Sequence, residues 1–547
     1  MVVAKTCVTR GGYGLWRCLA VLCVATSAAA CSLVIKDPFA AFAGAPIASG
    51  DVISRQAALD DLDFLMGTLE RVHPDPYRFR SREVVDAERR RVAETMPASL
   101  TTRDLCLRLG RVLAALDDGH TGIDCVRLMR DEWRRAAGAS PPETQRLLMF
   151  PPFMRLDDQQ HLVVGWPNGA PGLLPGDRIL RINGQDADAL LASWASEVSS
   201  DTEAARRASV ARRFRLHLAL HGIEPPYRLT VAAPVAPSRE VIIEGEPVNY
   251  QFQERPPAPN LVIDPFPVRP QTVLKPIQLE NGFFTYRLIE PDIAYMNFSS
   301  ILDGLSTVSR FRKAVDAMFR LVAADKPRVL IIDVRENGGG EDTAATVLLR
   351  HITAKPFRLL ASTQIKRSQE ARDFGSSLIR VPFRWMRLQY LSSEGRQYFT
   401  GTIGTLTPPT EFPVRTWPRA EPFYAGPVCV LTGPHTFSAA AELAGAVKAF
   451  GLATIVGEET GGQPNSFGNA LPFTLPRSKL LVEIATARAV RASGDVNDVG
   501  PVMPDIVVRA TAEDIRAAGF DPVLERAKNC PERTIRQPAA PPRLAPD

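Results

Sequence analysis

Three groups of residues in this 547-residue chain could do chemistry together. The first is Ser438, placed where an apolar run (PVCVLT, 427–432) gives way to an Ala-rich stretch. Ala439, Ala440, Ala441, Leu443, Ala444, Ala446 and Val447 suit a helix, and Gly451 suits its end. A hydroxyl at a strand-to-helix junction lies beside unpaired backbone N–H groups and the positive end of the helix dipole. Acyl transfer uses that setting for a nucleophile with donors ready for the oxyanion. A plain helix-capping role fits the same position. The second group is LDDGHTG, in which His120 follows a helical stripe of Leu105, Leu109, Val112 and Leu116. Gly119 is expected to act as the left-handed stop, leaving His120 on the first non-helical turn, aimed by a rigid element. That setting makes it the best base candidate among the seven histidines. The third group is Asn337, Gly338, Gly339 and Gly340 after an apolar run at 329–334. Such a loop lets bare backbone N–H groups approach a ligand or transition state. It has neither the lysine nor the spacing of a phosphate loop, so nucleotide binding is set aside.

The elements that must position these groups follow from periodicity. Residues 54–124 read as helices, with Leu59, Leu62, Met66 and Leu69 as a first stripe and HPDPYRF (73–79) as a turn. Residues 170–191 give a Pro-Gly-Asp turn, a short apolar strand, an Asn-Gly turn and a helix start. Arg206, Arg207, Arg212, Arg213 and Arg215 sit at helical spacing and read as a solvated face. A Pro-rich stretch precedes a strand at 292–300, a helix at 308–322 and the run at 329–334, which is apolar throughout as in a parallel strand buried on both faces. A helix is expected over 343–352, a strand over 453–457, an alternating strand over 479–490 and a short helix over 521–527. The stretch 356–425, rich in Arg, Pro and aromatics, reads as an irregular insertion or lid.

Composition adds bounds. The chain is too long for one domain, and its 45% apolar and 23% charged residues are ordinary for a globular protein. Lys5, Arg10 and Arg17 supply most of the net charge of +5, and nothing calls for nucleic acid. Those basic residues precede an apolar run (18–30) that ends in small residues at Cys31, the pattern of an export signal. The ending suits ordinary signal cleavage, and equally a lipid anchor on Cys31 of a periplasmic or membrane-tethered lipoprotein. The cysteines lack metal-ligand spacing. Cys106 and Cys125 are candidates to pair, Cys429 reads as inert core, and no disulfide framework is expected.

Taken together, VLIIDVRENGGG, HTFSAAAELAGAVK, IVGEETGG and the Pro-Asp ending of GPVMPDI resemble the tail-specific, or C-terminal processing, serine protease family. That family includes the tricorn core and the retinoid-binding repeats, and the resemblance runs from near residue 73 to near 527. It implies an α/β fold with a ClpP/crotonase-like core of repeated strand–helix units. The expected organisation is a signal peptide at 1–31, an N-terminal helical subdomain at 50–145 and a PDZ-like β module at 146–246. A linker at 247–280, a protease core at 281–528 and a disordered tail at 529–547 complete it.

The resemblance also implies a serine peptidase acting on peptides or proteins, often near their C-termini, with no cofactor and no metal. Ser438 matches the nucleophile, and the backbone N–H groups of Ala439 and Gly339 match the oxyanion donors. The lysine that bacterial and chloroplast members use as base falls at Gln463, which cannot take a proton at neutral pH. The tricorn-like branch draws its base from a segment similar to LDDGHTG, which carries over to His120, oriented by an acid at the place of Asp498. That branch has a serine before its histidine where this chain has Gly119. The resulting expectation is a Ser438–His120–Asp498 triad, recognised by role and geometry rather than chain order. His435 is expected to support the turn and Lys448 to be a solvated helix residue. Two alternatives share the fold: an inactive peptide- or apolar-ligand-binding protein, and a hydrolase of non-peptide esters or amides.

Overall fold

The structure is a computed structural model that describes residues 49–129, 148–247, 277–279, 284–298, 307–340, 342–378, 398–517 and 519–532. The signal segment with Cys31, most of the Pro-rich linker and most of the tail lie outside these residues.

A mixed seven-stranded sheet carries the nucleophile. Its order is Ile277–Leu279, Phe284–Glu290, Ile293–Phe298, Val329–Asp333, Val428–Thr432, Thr454–Gly457 and Ile506–Val507. The first two pairings are antiparallel and the remaining four parallel. Val329–Asp333 shows why its sequence is apolar without alternation. Leu330 and Ile332 pack among the helices of one face, with Phe311, Val315, Met318 and Leu443. Val329 and Ile331 pack on the other, with Val523 and Ala527 of the helix Pro522–Ala527. All four are fully buried, each worth about 1.5–3 kcal/mol of transfer free energy. Two strand–helix–strand units result, through the helices Thr307–Asp325 and Ala439–Phe450.

The helices Arg55–Val72, Arg82–Glu94 and Thr102–Ala114 form a second layer. Ser54 and Thr101 cap two of them, accepting the N–H groups of Ala57 and Asp104. Their apolar stripes close over Leu475, Leu480, Val482 and Ile484 from the hairpin Leu471–Thr474/Leu481–Ile484. Buried Asp61 ties the two together by accepting the N–H groups of Arg477 and Ser478, both at 2.8 Å. The long strand expected over 479–490 is therefore two strands. It breaks after Ile484 because Ala485 N–H turns to the Thr121 hydroxyl at 3.1 Å. Ala487–Arg491 then joins a four-stranded sheet with Leu360–Ile365, Thr410–Glu411 and Phe467–Gly468. The expected irregular insertion thus supplies two strands of a regular sheet.

Residues 148–247 build a six-stranded sheet of Phe153–Leu156, Leu162–Trp166, Arg178–Ile182, Gln185–Asp186, Tyr227–Ala232 and Arg239–Ile243. The helices Ala187–Ala195, Glu203–Arg212 and Phe214–Leu220 cover it. The arginine run is not one solvated face. Arg206 is buried against Asp117, and Arg215 pairs with Glu246 at 2.7 Å while lying over the Phe153 ring. Two disulfides are present, Cys106–Cys125 and Cys429–Cys530. The second corrects the expectation of an inert Cys429: its partner comes from 101 residues away, beyond the helix Pro522–Ala527. Among the described residues no helix is long and apolar enough to cross a membrane.

Candidate active site

Ser438 occupies the N-terminal position of the helix Ala439–Phe450, but its side chain does not cap it. Its backbone has φ +51° and ψ −129°, a region costly for any residue with a side chain. The surroundings enforce it. Phe437 N–H donates to the Asn337 carbonyl at 2.9 Å, and the Thr436 hydroxyl donates to the Val334 carbonyl at 2.8 Å. Buried Asn337 is itself fixed, donating to the Phe298 carbonyl at 2.9 Å. Two neighbouring strand ends thus clamp the turn, and Oγ is turned out of the helix.

It meets His120, whose Nε2 lies 3.1 Å from Ser438 Oγ across a sequence separation of 318. The segment that bears His120 is pinned on both sides. Before the histidine, Gly119 N–H donates to Asp201 Oδ1 at 2.7 Å, and His120 N–H donates to Asp118 Oδ1 at 2.9 Å. After it, Gly122 exchanges two 2.9 Å backbone bonds with Glu483. The His120 ring also stacks on Phe437, with centroids 4.6 Å apart and planes at 28°.

Electrostatics suit a base. Burial holds His120 below its ordinary value, opposed by the Asp118 carboxylate, so the ring is neutral at neutral pH. Burial works to raise Asp118, but the His73 hydrogen bond and nearby His120 outweigh it and hold the carboxyl below its ordinary value. His73 Nδ1 accepts the Asp75 N–H at 3.1 Å, so its Nε2 carries the hydrogen donated to Asp118 Oδ2 at 3.0 Å. Asp201 differs: burial and the adjacent Asp118 charge push it up to about 7, against two backbone N–H donors.

Two expected site residues stand otherwise. Asp498 does not reach His120; its half-exposed carboxylate pairs with the Arg491 guanidinium, and its carbonyl accepts from Arg491 and Asn465. The N–H of Gly339 is taken by Asn337 Oδ1 at 2.9 Å. What Gly339 contributes is room: its φ is +100°, and a Cβ there would lie 2.5 Å from Ser438 Cβ. Ala439 heads the helix directly after Ser438, where an N–H has no intrahelical acceptor. Nor is Gly119 the left-handed residue; Asp117 is, at φ +54°. Gln463 is buried, its N–H on Asp201 Oδ2 at 2.8 Å and its Nε2 on the Asp201 carbonyl at 2.7 Å. Lys448 pairs with Asp505 at the helix surface, and His435 is half-buried on the nucleophile turn.

Residues 292–508 match the profile of peptidase family S41. The chain carries an S41 peptidase domain. This is the tail-specific protease family, and the domain is of the serine-peptidase class. An uncharacterized protein of Chlamydia muridarum (strain MoPn / Nigg) is 26% identical, a match covering 38% of this chain and 38% of that protein's own length. Mature CPAF complexed with lactacystin superposes with a TM-score of 0.58 at 20% identity, covering 87% of this chain and 97% of that one. A mutant of CPAF gives a TM-score of 0.59 at 17% identity, covering 87% and 98%. These likenesses show a shared mixed α/β fold of several sheets.

The S41 match encloses Ser438, Ala439 and Gln463 but stops short of His120, Asp118, Asp201 and His73. Sequence reasoning missed Asp118, His73, Asp201 and Phe437. Asp118 sits two residues before the base and His73 opens HPDPYRF, so both lay in segments already marked. Asp201, in SSDTEAARR, looks like a helix-capping residue and Phe437 like ordinary core, and neither carries a local signal.

Proposed function

We propose that this chain is an exported serine peptidase that cleaves peptide bonds through an acyl-enzyme, with Ser438 as nucleophile and His120 as general base. The observation that carries the reading is the 3.1 Å approach of His120 Nε2 to a Ser438 Oγ held out of its helix by a positive-φ backbone. Oγ attacks the scissile carbonyl while Nε2 takes its proton. The tetrahedral oxyanion develops beside the helix N-terminus, where Ala439 N–H stabilises it. His120 then returns the proton to the leaving amine, and the same base activates water to release the acyl group. The imidazolium formed in each half-reaction faces the ionised Asp118 carboxylate, which replaces solvent as its counter-charge.

Support for a peptide rather than a small-molecule substrate comes from the family and from the sheets beside the site. In this reading the unit at 148–247 is a PDZ-like module that takes a substrate C-terminus as an added strand, and the helices at 55–114 form the N-terminal subdomain that delivers the base. The core is of the ClpP/crotonase type. Export rests on the N-terminal signal pattern, with release to the periplasm or lipidation of Cys31 as its end points.

The test is fluorophosphonate labelling with turnover of peptide and ester substrates. Wild-type chain labelled at Ser438, with peptide turnover that Ser438→Ala abolishes, is the expected result. No labelling, and activity unchanged in Ser438→Ala, would favour the binding-protein alternative; ester turnover without peptide turnover would change the substrate class.

A further inference from the structure

His120 has a neutral acceptor's geometry toward Ser438 but lacks the usual third member. Its Nδ1 is buried without a hydrogen-bond partner, and Asp498 is engaged elsewhere. Two carboxylates nevertheless stand close, since Asp118, Asp201 and a ring nitrogen of His120 bring one polar atom each to within 4.8 Å of one another. Asp118 belongs to the histidine's own segment. Asp201 comes from the six-stranded unit, between the helices Ala187–Ala195 and Glu203–Arg212, and is only 5% exposed.

The connections of Asp201 run to both reacting residues. One carboxylate oxygen accepts Gly119 N–H at 2.7 Å, one bond along the chain from His120. The other accepts Gln463 N–H at 2.8 Å, while the Asp201 carbonyl accepts Gln463 Nε2 at 2.7 Å. Gln463 follows Gly462, which is bonded to the Thr436 carbonyl at 3.0 Å and lies so close to the nucleophile that a Cβ on it would be 3.0 Å from Ser438 N. Base segment and nucleophile turn, far apart in sequence, are therefore joined through one carboxylate. A buried carboxylate forfeits much hydration and is retained where its hydrogen bonds are fixed and complete. Here both oxygens are used, and both uses hold the site.

We propose that Asp201 is the positioning residue of this active site, a clasp that fixes His120 against Ser438 in place of the missing triad acid. The proposal rests on the Ser438–His120 reading. It explains why position 463 needs no lysine: the segment there serves as the far jaw of the clasp. It also makes the six-stranded unit part of the catalytic assembly, because the clasp residue belongs to that unit.

Ionisation of Asp201 controls the clasp, since only the carboxylate accepts both N–H groups without turning a hydrogen toward one. The charged and titratable groups that face it are Asp118 and His120, with His73 behind Asp118 and the Arg206–Asp117 pair alongside. Since Asp201 titrates at about 7, wild-type turnover should rise through that pH as the clasp closes.

The experiment compares peptide hydrolysis by wild type, Ser438→Ala and Asp201→Asn between pH 5 and 9. Asp201→Asn is expected to lose roughly a hundredfold in kcat with little change in KM, and to lose the rise near pH 7. A kcat within about twofold of wild type, a loss confined to KM, or a retained rise near pH 7 overturns the clasp. Turnover lost in Ser438→Ala but kept in Asp201→Asn overturns the clasp and leaves the serine reading standing; turnover kept in both overturns both. Should Asp201→Asn fail to fold, hydrogen exchange on the wild-type chain decides. Segments 117–121 and 460–464 must gain protection together as pH rises through about 7, after correction for intrinsic exchange, and protection indifferent to pH overturns the proposal.

Discussion

A Cβ on Gly119 would lie 2.7 Å from the ring of Phe437. That ring is the surface on which His120 stacks, so Gly119 cannot gain a side chain without moving the platform under the base. A serine at position 119 is excluded by the same contact. Gly119→Ala should therefore lose roughly a hundredfold in kcat/KM, because displacing the ring displaces Nε2 from Ser438. Overpacking of this kind costs about 1–3 kcal/mol of stability, so the variant should stay folded. Wild-type kcat/KM in a folded Gly119→Ala would remove Phe437 as the platform.

The contacts of the four polar candidates set their expected order. His120→Ala should fall as far as Ser438→Ala, on the order of 10⁴-fold or more, as residues that act as a unit do. Gln463→Ala keeps its backbone bond to Asp201 and loses one side-chain hydrogen bond of about 1 kcal/mol, so most turnover should remain. Asp498→Asn should also remain active, since its carboxylate answers to Arg491. Steady-state kinetics on the four variants check the order, and an inactive Asp498→Asn would restore that residue to the triad.

What was legible in the sequence is what local chemistry can encode. Ser438 announced itself by a strand-to-helix junction, His120 by a rigid helix end, and the run at 329–334 by an apolar pattern that only two-sided burial explains. The misses lie in how side chains and turns meet in space, at short and long sequence separation alike. Arg491 claims Asp498 through a turn whose geometry no pattern reveals, and Asn337 takes the Gly339 N–H by folding back on its own loop. Asp201 lies where two distant segments converge on it, and its own neighbourhood reads as a helix cap. Cys429 looked like core since its partner waits at the far end of the domain.

Below the rise assigned to Asp201, two histidines with different duties respond to acid. Burial lowers His120, so in Asp201→Asn, where the rise near pH 7 is gone, the remaining kcat/KM should hold down to below pH 6.5 and be lost as the ring protonates at lower pH. Burial, helped by His221 and Arg213, pushes His217 down to about 3. Its folded-state value lies below its unfolded one of 6.5. The stability it contributes is thus present above pH 6.5 and lost as pH falls from there toward 3. His217→Phe, in the stack with Trp194, should flatten the acid slope of the unfolding free energy without moving the activity limb. An unchanged slope would show that other groups govern acid unfolding.

The two disulfides should separate stability from catalysis. Cys106–Cys125 spans 19 positions, closes the segment that carries His120 and anchors it to the helix Thr102–Ala114. Cys429–Cys530 spans 101 positions and fastens the chain's last described helix to the central sheet. Loop-closure entropy assigns about 3 kcal/mol to the first and nearly 5 kcal/mol to the second. Cys429→Ser/Cys530→Ser should therefore show the larger fall in unfolding free energy with kcat unchanged in the folded population. Cys106→Ser/Cys125→Ser should lose less stability but more turnover, since freeing the segment widens the distribution of Nε2 about Ser438. Denaturant unfolding beside active-site titration resolves the two. Equal kcat losses would mean that His120 is held by its hydrogen bonds alone and gains nothing from the covalent link.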